Sequence, residues 1–308
     1  MPVPLRSVKN SKGSDFMRIL NFGSMNLDYV YQVEHFVQPG ETLLAHAQAV
    51  NPGGKGLNQS IALARAGAKT CHAGCVGVGG EMLIALLQEN GVDVSCIEAV
   101  QELQGNAVIQ VDRTGENCIL LFGGSNQCVR PEQIEKTLAH FDKGNYLLLQ
   151  NEINNLPMIV SCAGKRKMKI VLNPSPFNEQ LEQVDFSKLE WLIVNEVEME
   201  QLSGFSSPEK SWEKLHRQYP DLSLLVTLGE EGSIAFTKRE TVRQEAVKVK
   251  AVDTTAAGDT YTGYFLAGIM EGMSLQQSME RANIAAAAAV TRAGAAESIP
   301  RKEQLPVP

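Results

Sequence analysis

The segment VDTTAAGDTYTGYFLAG, Val252 to Gly268, sets two carboxylates, Asp253 and Asp259, on either side of Thr254-Thr255-Ala256-Ala257-Gly258, just before a helix-like apolar run. Side chains this small let a ligand come close to the backbone, and the first N–H groups of a helix have no partner within it. With the positive end of the dipole, such a turn is an anion seat. A carboxylate just inside it has a chemical use if it takes a proton from an attacking hydroxyl while the N–H groups hold negative charge. The dipole alone also favours aspartate at a helix start, and the fragment by itself leaves both readings open.

A seat of this kind needs a scaffold, and the chain is long enough to supply one. Its 308 residues, 44% hydrophobic, suffice for one large α/β domain with a modest addition. There is no apolar run of bilayer-spanning length and no signal-peptide pattern, so the chain reads as soluble, with no membrane partner. A formal charge of −7, with KRKMK at Lys165 to Lys169 as the one basic cluster, argues against a nucleic-acid partner. That cluster reads as a solvated helix end. The six cysteines contain no C-x-x-C pair, which points to reduced thiols and a cytoplasmic setting rather than zinc or disulfides. Residues 1–16 are polar and rich in helix breakers, and read as a disordered or appended leader before the strand-like MRILNFGSM.

Short apolar runs alternate with helical patterns, the sign of parallel βαβ units. The runs RILNFGS, TCHAGCVGV, YLLLQNE, KIVLNPS, WLIVNEVE and LLVTLGEEG read as strands, and NQSIALARAGA, MLIALLQENG and EMEQLSG as helices closed by glycine. The strands end on polar residues: Asn26 and Asp28 just past the first, then Glu152, Asn173, Asn195 and Thr227. In an open parallel sheet the ligand crevice lies outside the carboxyl ends of the strands, so these residues converge there. Two further segments, about 29–50 and 105–122, alternate without an intervening helix. They read as antiparallel strands of a separate small lid.

Two glycine-rich stretches fail as nucleotide motifs. In NPGGKGLNQ, Gly56 follows Lys55 where a phosphate loop needs Ser or Thr. In GCVGVGGEM, counting from Gly77 and Gly79 puts Met82 at the third dinucleotide glycine, and counting from Gly74 puts Val76 at the second. What remains for Gly53-Gly54-Lys55-Gly56 is a loop whose backbone approaches a polyhydroxylated ligand, with Lys55 and Asn58 as hydrogen-bonding groups, or an ordinary tight turn before a helix.

In order along the chain, GSMNLDYV, PGET, NPGGKGLNQSIALARAGA, LNPSP, VNEVEMEQLSG, VTLGEEG, VDTTAAGDTYTG and AAAAAVTRAGAAESIP resemble the ribokinase, or PfkB-type, sugar kinases, over about Arg18 to Pro300. The resemblance implies a doubly wound α/β domain with a small β lid that also mediates dimerisation in many members. It makes Asp259 the base for the sugar's primary hydroxyl, with the N–H groups of Ala256, Ala257 and Gly258 holding the charge of the transferring phosphoryl group. Asn195 and Glu198 match the family's N-x-x-E element, which organises the water shell of Mg²⁺ carried with ATP. Glu198 also suits a helix start.

On the sugar side, Asn26, Asp28, Gly53, Gly54, Lys55, Asn58 and Glu152 match ribokinase contact positions. A carboxylate such as Asp28 accepts from two adjacent hydroxyls, as a furanose diol offers them. Thr227, Gly229 and Asn283 match the nucleotide side. Asp253, Thr255, Gly294 and Ser298 fall where ribokinases bind an activating K⁺, although Asp253 also suits a loop cap.

Two departures stand out. Gly77-Val78-Gly79-Gly80 replaces the longer, acidic G-x-D-x-x-G loop, and Asn106 stands where an apolar residue usually covers the sugar. The expectation is therefore an ATP-dependent kinase acting on the primary hydroxyl of a pentose, foremost D-ribose to ribose 5-phosphate. The alternatives are another furanose, a nucleoside, a sugar acid, or a silent sugar-binding regulator. An intact Asp259 speaks against the regulator, and a nicotinamide dehydrogenase lacks its glycine fingerprint.

Overall fold

The computed structural model describes residues 17–306, so the expected leader lies outside the described residues. The main sheet takes its strands in two passes from a central one. The first strand, β1 (Ile19–Phe22), is followed by β2 (Asn26–Gln32) and β3 (Ala47–Gly53), which leave for a second sheet. The chain then returns through α1 (Lys55–Arg65) to β4 (Thr70–Val78), and through α2 (Glu81–Glu89) to β5 (Asp93–Leu103). A second excursion makes β6 (Asn106–Val111) and β7 (Asn117–Phe122).

After α3 (Pro131–Leu138) the chain crosses to the other side of β1. It lays down β8 (Tyr146–Gln150), α4 (Leu156–Lys165), β9 (Lys169–Asn173), β10 (Leu189–Asn195), α5 (Glu196–Ser203), α6 (Pro208–Gln218) and β11 (Ser223–Thr227). Two edge strands, β12 (Ser233–Phe236) and β13 (Thr241–Gln244), precede α7 (Ala257–Met270) and α8 (Leu275–Val290). The resulting nine-stranded order is β13-β12-β11-β10-β9-β8-β1-β4-β5, parallel except at the β12 and β13 edge. Strand order reverses between β1 and β8, and there the crevice opens at the carboxyl ends.

The period of two along each strand divides the core. Leu147 and Leu149 of β8 face a cluster with Ile134, Ile159 and Leu215 of α3, α4 and α6. Tyr146 and Leu148 face one with Ile61, Leu83, Phe265 and Met279 of α1, α2, α7 and α8. Helices therefore cover both faces, as the doubly wound expectation requires. On the second face, four strands carry a buried polar residue: Asn21 in β1, His72 early in β4, and Gln150 and Asn173 at the carboxyl ends of β8 and β9. None is more than 9% exposed, so each needs a partner inside the protein.

The small sheet, β3-β2-β6-β7, departs from the expectation in one respect. Its outer pairs are antiparallel, but β2 and β6 run parallel because they come from two separate excursions rather than one hairpin. The helix read as starting near Asn58 begins at Lys55. Gly56 lies in its first turn because a Cβ there would stand 2.3 Å from Ser24 N and 2.5 Å from Ser24 O. The uncharged Gly77–Gly80 loop is closed by Gln104, which accepts from Gly77 N–H at 2.9 Å and donates to Met25 O at 2.5 Å. Local packing beside the small sheet is thus complete without the acidic loop. The basic run Lys165–Lys169 bridges the end of α4 and the start of β9.

The α1–α7 contact sets the site, since Asn58 and Asp259 sit on those helices. At Gly263 a Cβ would stand 2.4 Å from Ala62 Cβ and 2.8 Å from Leu63 N. Gly263→Ala should therefore push the helices apart and cost about 1–3 kcal/mol, the usual range for overpacking. A denaturant midpoint equal to that of the unchanged protein would contradict this.

Candidate active site

Asp259 is 8% exposed and lies in the first turn of α7. The preceding Ala256 has φ of 60°, a left-handed turn that costs an L-residue about 1–2 kcal/mol and directs the chain into the helix. Ala257 N–H turns back to Thr254 O at 3.2 Å, and Thr260 N–H closes onto Ala256 O at 2.8 Å. The expected seat of Ala256, Ala257 and Gly258 is therefore corrected, since Ala257 N–H is spent inside the turn; among the described residues, the first-turn N–H groups of Gly258 and Asp259 are left as donors of the helix end. Nothing lies within 4 Å of where a Gly258 Cβ would stand, so this backbone is open to a ligand.

Two α1 side chains hold the carboxylate. Asn58 Nδ2 donates to one Asp259 oxygen at 3.1 Å, and Gln59 Nε2 to the other at 2.8 Å. A cleft of about 220 Å³ opens on this point, lined by Lys55, Asn195, Glu198, Thr227, Ala257 and Asp259 among others. Asn195 and Glu198 form a capping box at the start of α5, with Glu198 N–H to Asn195 Oδ1 at 2.8 Å and Asn195 N–H to Glu198 Oε2 at 3.1 Å. Capping and facing the cleft coexist here, since Glu198 caps through Oε2 and its Oε1 has no hydrogen bond among the described residues. The Lys55 ammonium forms no ion pair among the described residues. Burial works to lower its pKa, but the charges of Asp259, Glu152 and Glu198 outweigh this and hold it above its usual value.

A second cleft, of about 520 Å³, shares Thr227, Ala257 and Gly258 with the first and continues to Gly229, Val247, Tyr261 and Asn283. Its mostly apolar walls end on Asn283, whose amide donates to Glu245 O at 3.1 Å and fastens the loop before Asp253.

On the other side of Lys55 lie the strand-end acids. Glu152, following β8, accepts from Ser24 Oγ and, at 3.1 Å, from Lys55 N–H, so it joins the ends of β1 and β8 across the switch point. Burial raises its pKa, and Lys55 opposes the rise. Asp28 of β2 leans on Gly53, where a Cβ would stand 2.0 Å from its Oδ2 and so would displace the carboxylate. No protein donor among the described residues reaches the Asp28 carboxylate. Burial first, and then the nearby Glu152 charge, push its pKa up to about 7.

Asn26 accepts from Asn126 Nδ2 at 2.7 Å and lines a third recess with Glu152 and Leu121. Gly54, with φ of 91°, turns the chain from β3 into α1. Asn106 opens β6, half-buried, and donates to Gln104 O at 3.1 Å.

Asp253 ties together most of the remaining set. It accepts from Thr255 N–H and from Gly294 N–H, both at 2.9 Å, and these bonds overcome burial to hold its pKa below the usual range. Ser298 is not joined to them, since its hydroxyl donates to Ala295 O at 2.8 Å. Gln59, Gln150 and Asn21 were not legible as site residues, although a lone amide inside an apolar strand, as in ILNF and YLLLQ, is the signal that marks such positions.

With this geometry in hand, the chain can be set beside known proteins. Residues 18–302 match the pfkB family carbohydrate kinases. The ribokinase of Haemophilus influenzae is 35% identical over 292 residues, covering 92% of this chain and 95% of that protein. A crystal structure of ribokinase from Cryptococcus neoformans in complex with ADP superposes with a TM-score of 0.81 at 33% identity, covering 93% of this chain and 98% of the other. The deoxyribokinase of Salmonella typhi is 29% identical over 300 residues, 94% of this chain and 97% of that protein.

The family match and these relatives define a phosphotransferase with an alcohol acceptor that uses ATP. The chain belongs to the pfkB family of carbohydrate kinases.

The unpartnered Asp28 carries a pH dependence. Its folded pKa, about 7, lies above the 3.8 of an unperturbed aspartate, so the folded state holds this proton more tightly than the unfolded chain. Stability is therefore lost as pH rises from about 4 to 7, and the deficit is complete above that. Asp28→Asn should raise the melting temperature of the ligand-free protein at about pH 8, and by less at about pH 5. An equal shift at the two pH values would count against a strained Asp28.

Proposed function

We propose that the protein transfers the γ-phosphoryl group of ATP to the primary hydroxyl of a pentose, with D-ribose the preferred acceptor. The observation that carries this reading is the place of Asp259, which lines a cleft that continues into a nucleotide-sized one, is held by Asn58, and lies within the field of Glu152, itself a neighbour of Asp28. Asp259 takes the hydroxyl proton as the oxygen attacks the phosphorus. The N–H groups of Gly258 and Asp259, with Lys55, hold the charge of the transferring group. Asp28, with no protein donor of its own, receives two neighbouring ring hydroxyls.

Among the described residues no three or more His, Cys, Asp or Glu side chains converge as a metal cluster. The free Glu198 oxygen with Asn195 suits water molecules around a Mg²⁺ held chiefly by the nucleotide phosphates, where the ion offsets their charge. Thr227, Gly229 and Asn283 line the adenosine side.

A second reading, in which 2-deoxyribose is the acceptor, is favoured by the similarity to a deoxyribokinase. The two readings separate in one experiment. Asp259→Asn should fold and lose at least ~10²-fold in turnover, the usual size of a general-base contribution. Ribose should outperform 2-deoxyribose in the unchanged enzyme, since a missing hydroxyl leaves a polar group unpaired at about 1–3 kcal/mol. Asp28→Ala should then harm ribose more than deoxyribose. Near-normal turnover by Asp259→Asn would remove the base, and equal efficiency for the two sugars would remove the ribose preference.

The hydrogen-bonded set of Asp253, Thr255 and Gly294, with Ser298 nearby in sequence, is the place for an activating K⁺ held largely by carbonyl oxygens. Rates should be higher in K⁺ than in Na⁺ at matched ionic strength, and equal rates would reject the site.

The edge strand β7 leaves Ile119, Leu120, Leu121 and Phe122 exposed, which supports a lid that pairs with a second copy. A monomeric mass at micromolar protein with full activity would count against that dimer.

A further inference from the structure

Gln59 is fully buried and lines none of the three clefts, yet it touches Asp259. The orientation of its amide follows from backbone groups at both ends of a chain of side chains. Gly56 O can only accept, and Asn21 Nδ2 lies 2.7 Å from it, so the Asn21 nitrogen faces α1 and its oxygen faces β8. That oxygen lies 3.0 Å from Gln150 Nε2, which spends its other proton on Gln59 Oε1 at 2.6 Å. With its oxygen turned to Gln150, Gln59 has only its nitrogen for Asp259 Oδ1, at 2.8 Å, and Asn173 Oδ1, at 3.1 Å. Asn173 agrees from the far side, because its own nitrogen donates to Ile193 O at 2.9 Å. Two carbonyls that cannot reverse their role thus fix every amide between them, and the one open direction is a donor aimed at Asp259.

We propose that Gln59 is a positioning residue for the reaction: its amide, held in one orientation by Asn21, Gln150 and Asn173, aims the Asp259 carboxylate at the acceptor oxygen. The inference rests on Asp259 being the base. A carboxylate held by Asn58 alone rotates about its last bond, and both oxygens leave the line of attack for part of the time. Gln59 removes that freedom without touching either substrate, so its loss falls on turnover rather than on binding.

The test uses Gln59→Met, of similar length and without the amide, in the unchanged enzyme and in Asp259→Asn. The expected result is a fall in kcat of about 10–100-fold, the scale on which small misplacements act. The KM values for sugar and ATP should stay within about twofold, and Asp259→Asn should suffer no further loss from the same change. Should Gln59→Met fold poorly, Gln150→Met, one bond further from Asp259, should give the same kcat pattern at smaller size. If Asp259→Asn keeps its turnover, the base reading and this inference fall together. If Asp259→Asn is slow but Gln59→Met keeps its kcat, alters chiefly KM, or loses the same factor with and without the carboxylate, the base stands and the positioning role is overturned.

Discussion

Asp259 accepts hydrogen bonds from two consecutive residues of one helix, Asn58 and Gln59, across 201 and 200 positions of chain. Consecutive helical residues point about 100° apart, so both reach one carboxylate only if the first turn of α7 sits over the first turn of α1. That arrangement governs much of the structure around it. It requires the two helices to approach closely, which Gly263 against Ala62 allows, and it requires α1 to lie low on the end of β1, which Gly56 against Ser24 allows. It also needs polar partners beneath α1, where the sheet would otherwise be apolar. Asn21, Gln150 and Asn173 supply them from three strands, and His72 joins through Ser60 Oγ at 2.8 Å. A buried polar group without a partner costs more than a made hydrogen bond returns, so this layer settles how α1 sits.

Much of the frame was legible because it rests on local rules. Alternating apolar runs and helical periods announced the parallel sheet, and polar strand ends such as Asn173, Asn195 and Thr227 line one cleft at its edge. Less local features were not. The parallel pairing of β2 with β6 depends on two excursions meeting in space, which no turn signal records. The first turn of α1 was hidden by glycines that read as loop, because the cause of Gly56 is the approach of Ser24 from the turn after β1. The role of Gln104 in closing the Gly77–Gly80 loop was likewise hidden, since it belongs to a different segment.

Within the site, residue type and position revealed the carboxylates, whereas Gln59 and Gln150 stayed invisible. An amide in a buried element has no meaning until its partners are known, and those partners lie 91 to 200 positions away. Glu198 shows the opposite case. Reading it as a helix cap or as a cleft residue posed a choice that the geometry does not require, because a carboxylate has two oxygens and spends one on each.

The distribution of charge explains how an acidic site receives an anionic nucleotide. Asp259, Glu152 and Glu198 surround Lys55, and their combined field keeps its ammonium charged despite burial. The lysine and the open α7 N–H groups face the cleft shared with the nucleotide side. On the other side of Lys55, burial pushes the pKa of both Glu152 and Asp28 upward. Asp28 is the extreme example: its Oδ2 rests against the Gly53 backbone, burial and Glu152 both oppose its ionisation, and no hydrogen bond among the described residues relieves it. Under the proposed function, an acceptor with paired hydroxyls would relieve that strain and one without them would leave it in place, so the site would discriminate by the difference between a satisfied and an unsatisfied carboxylate.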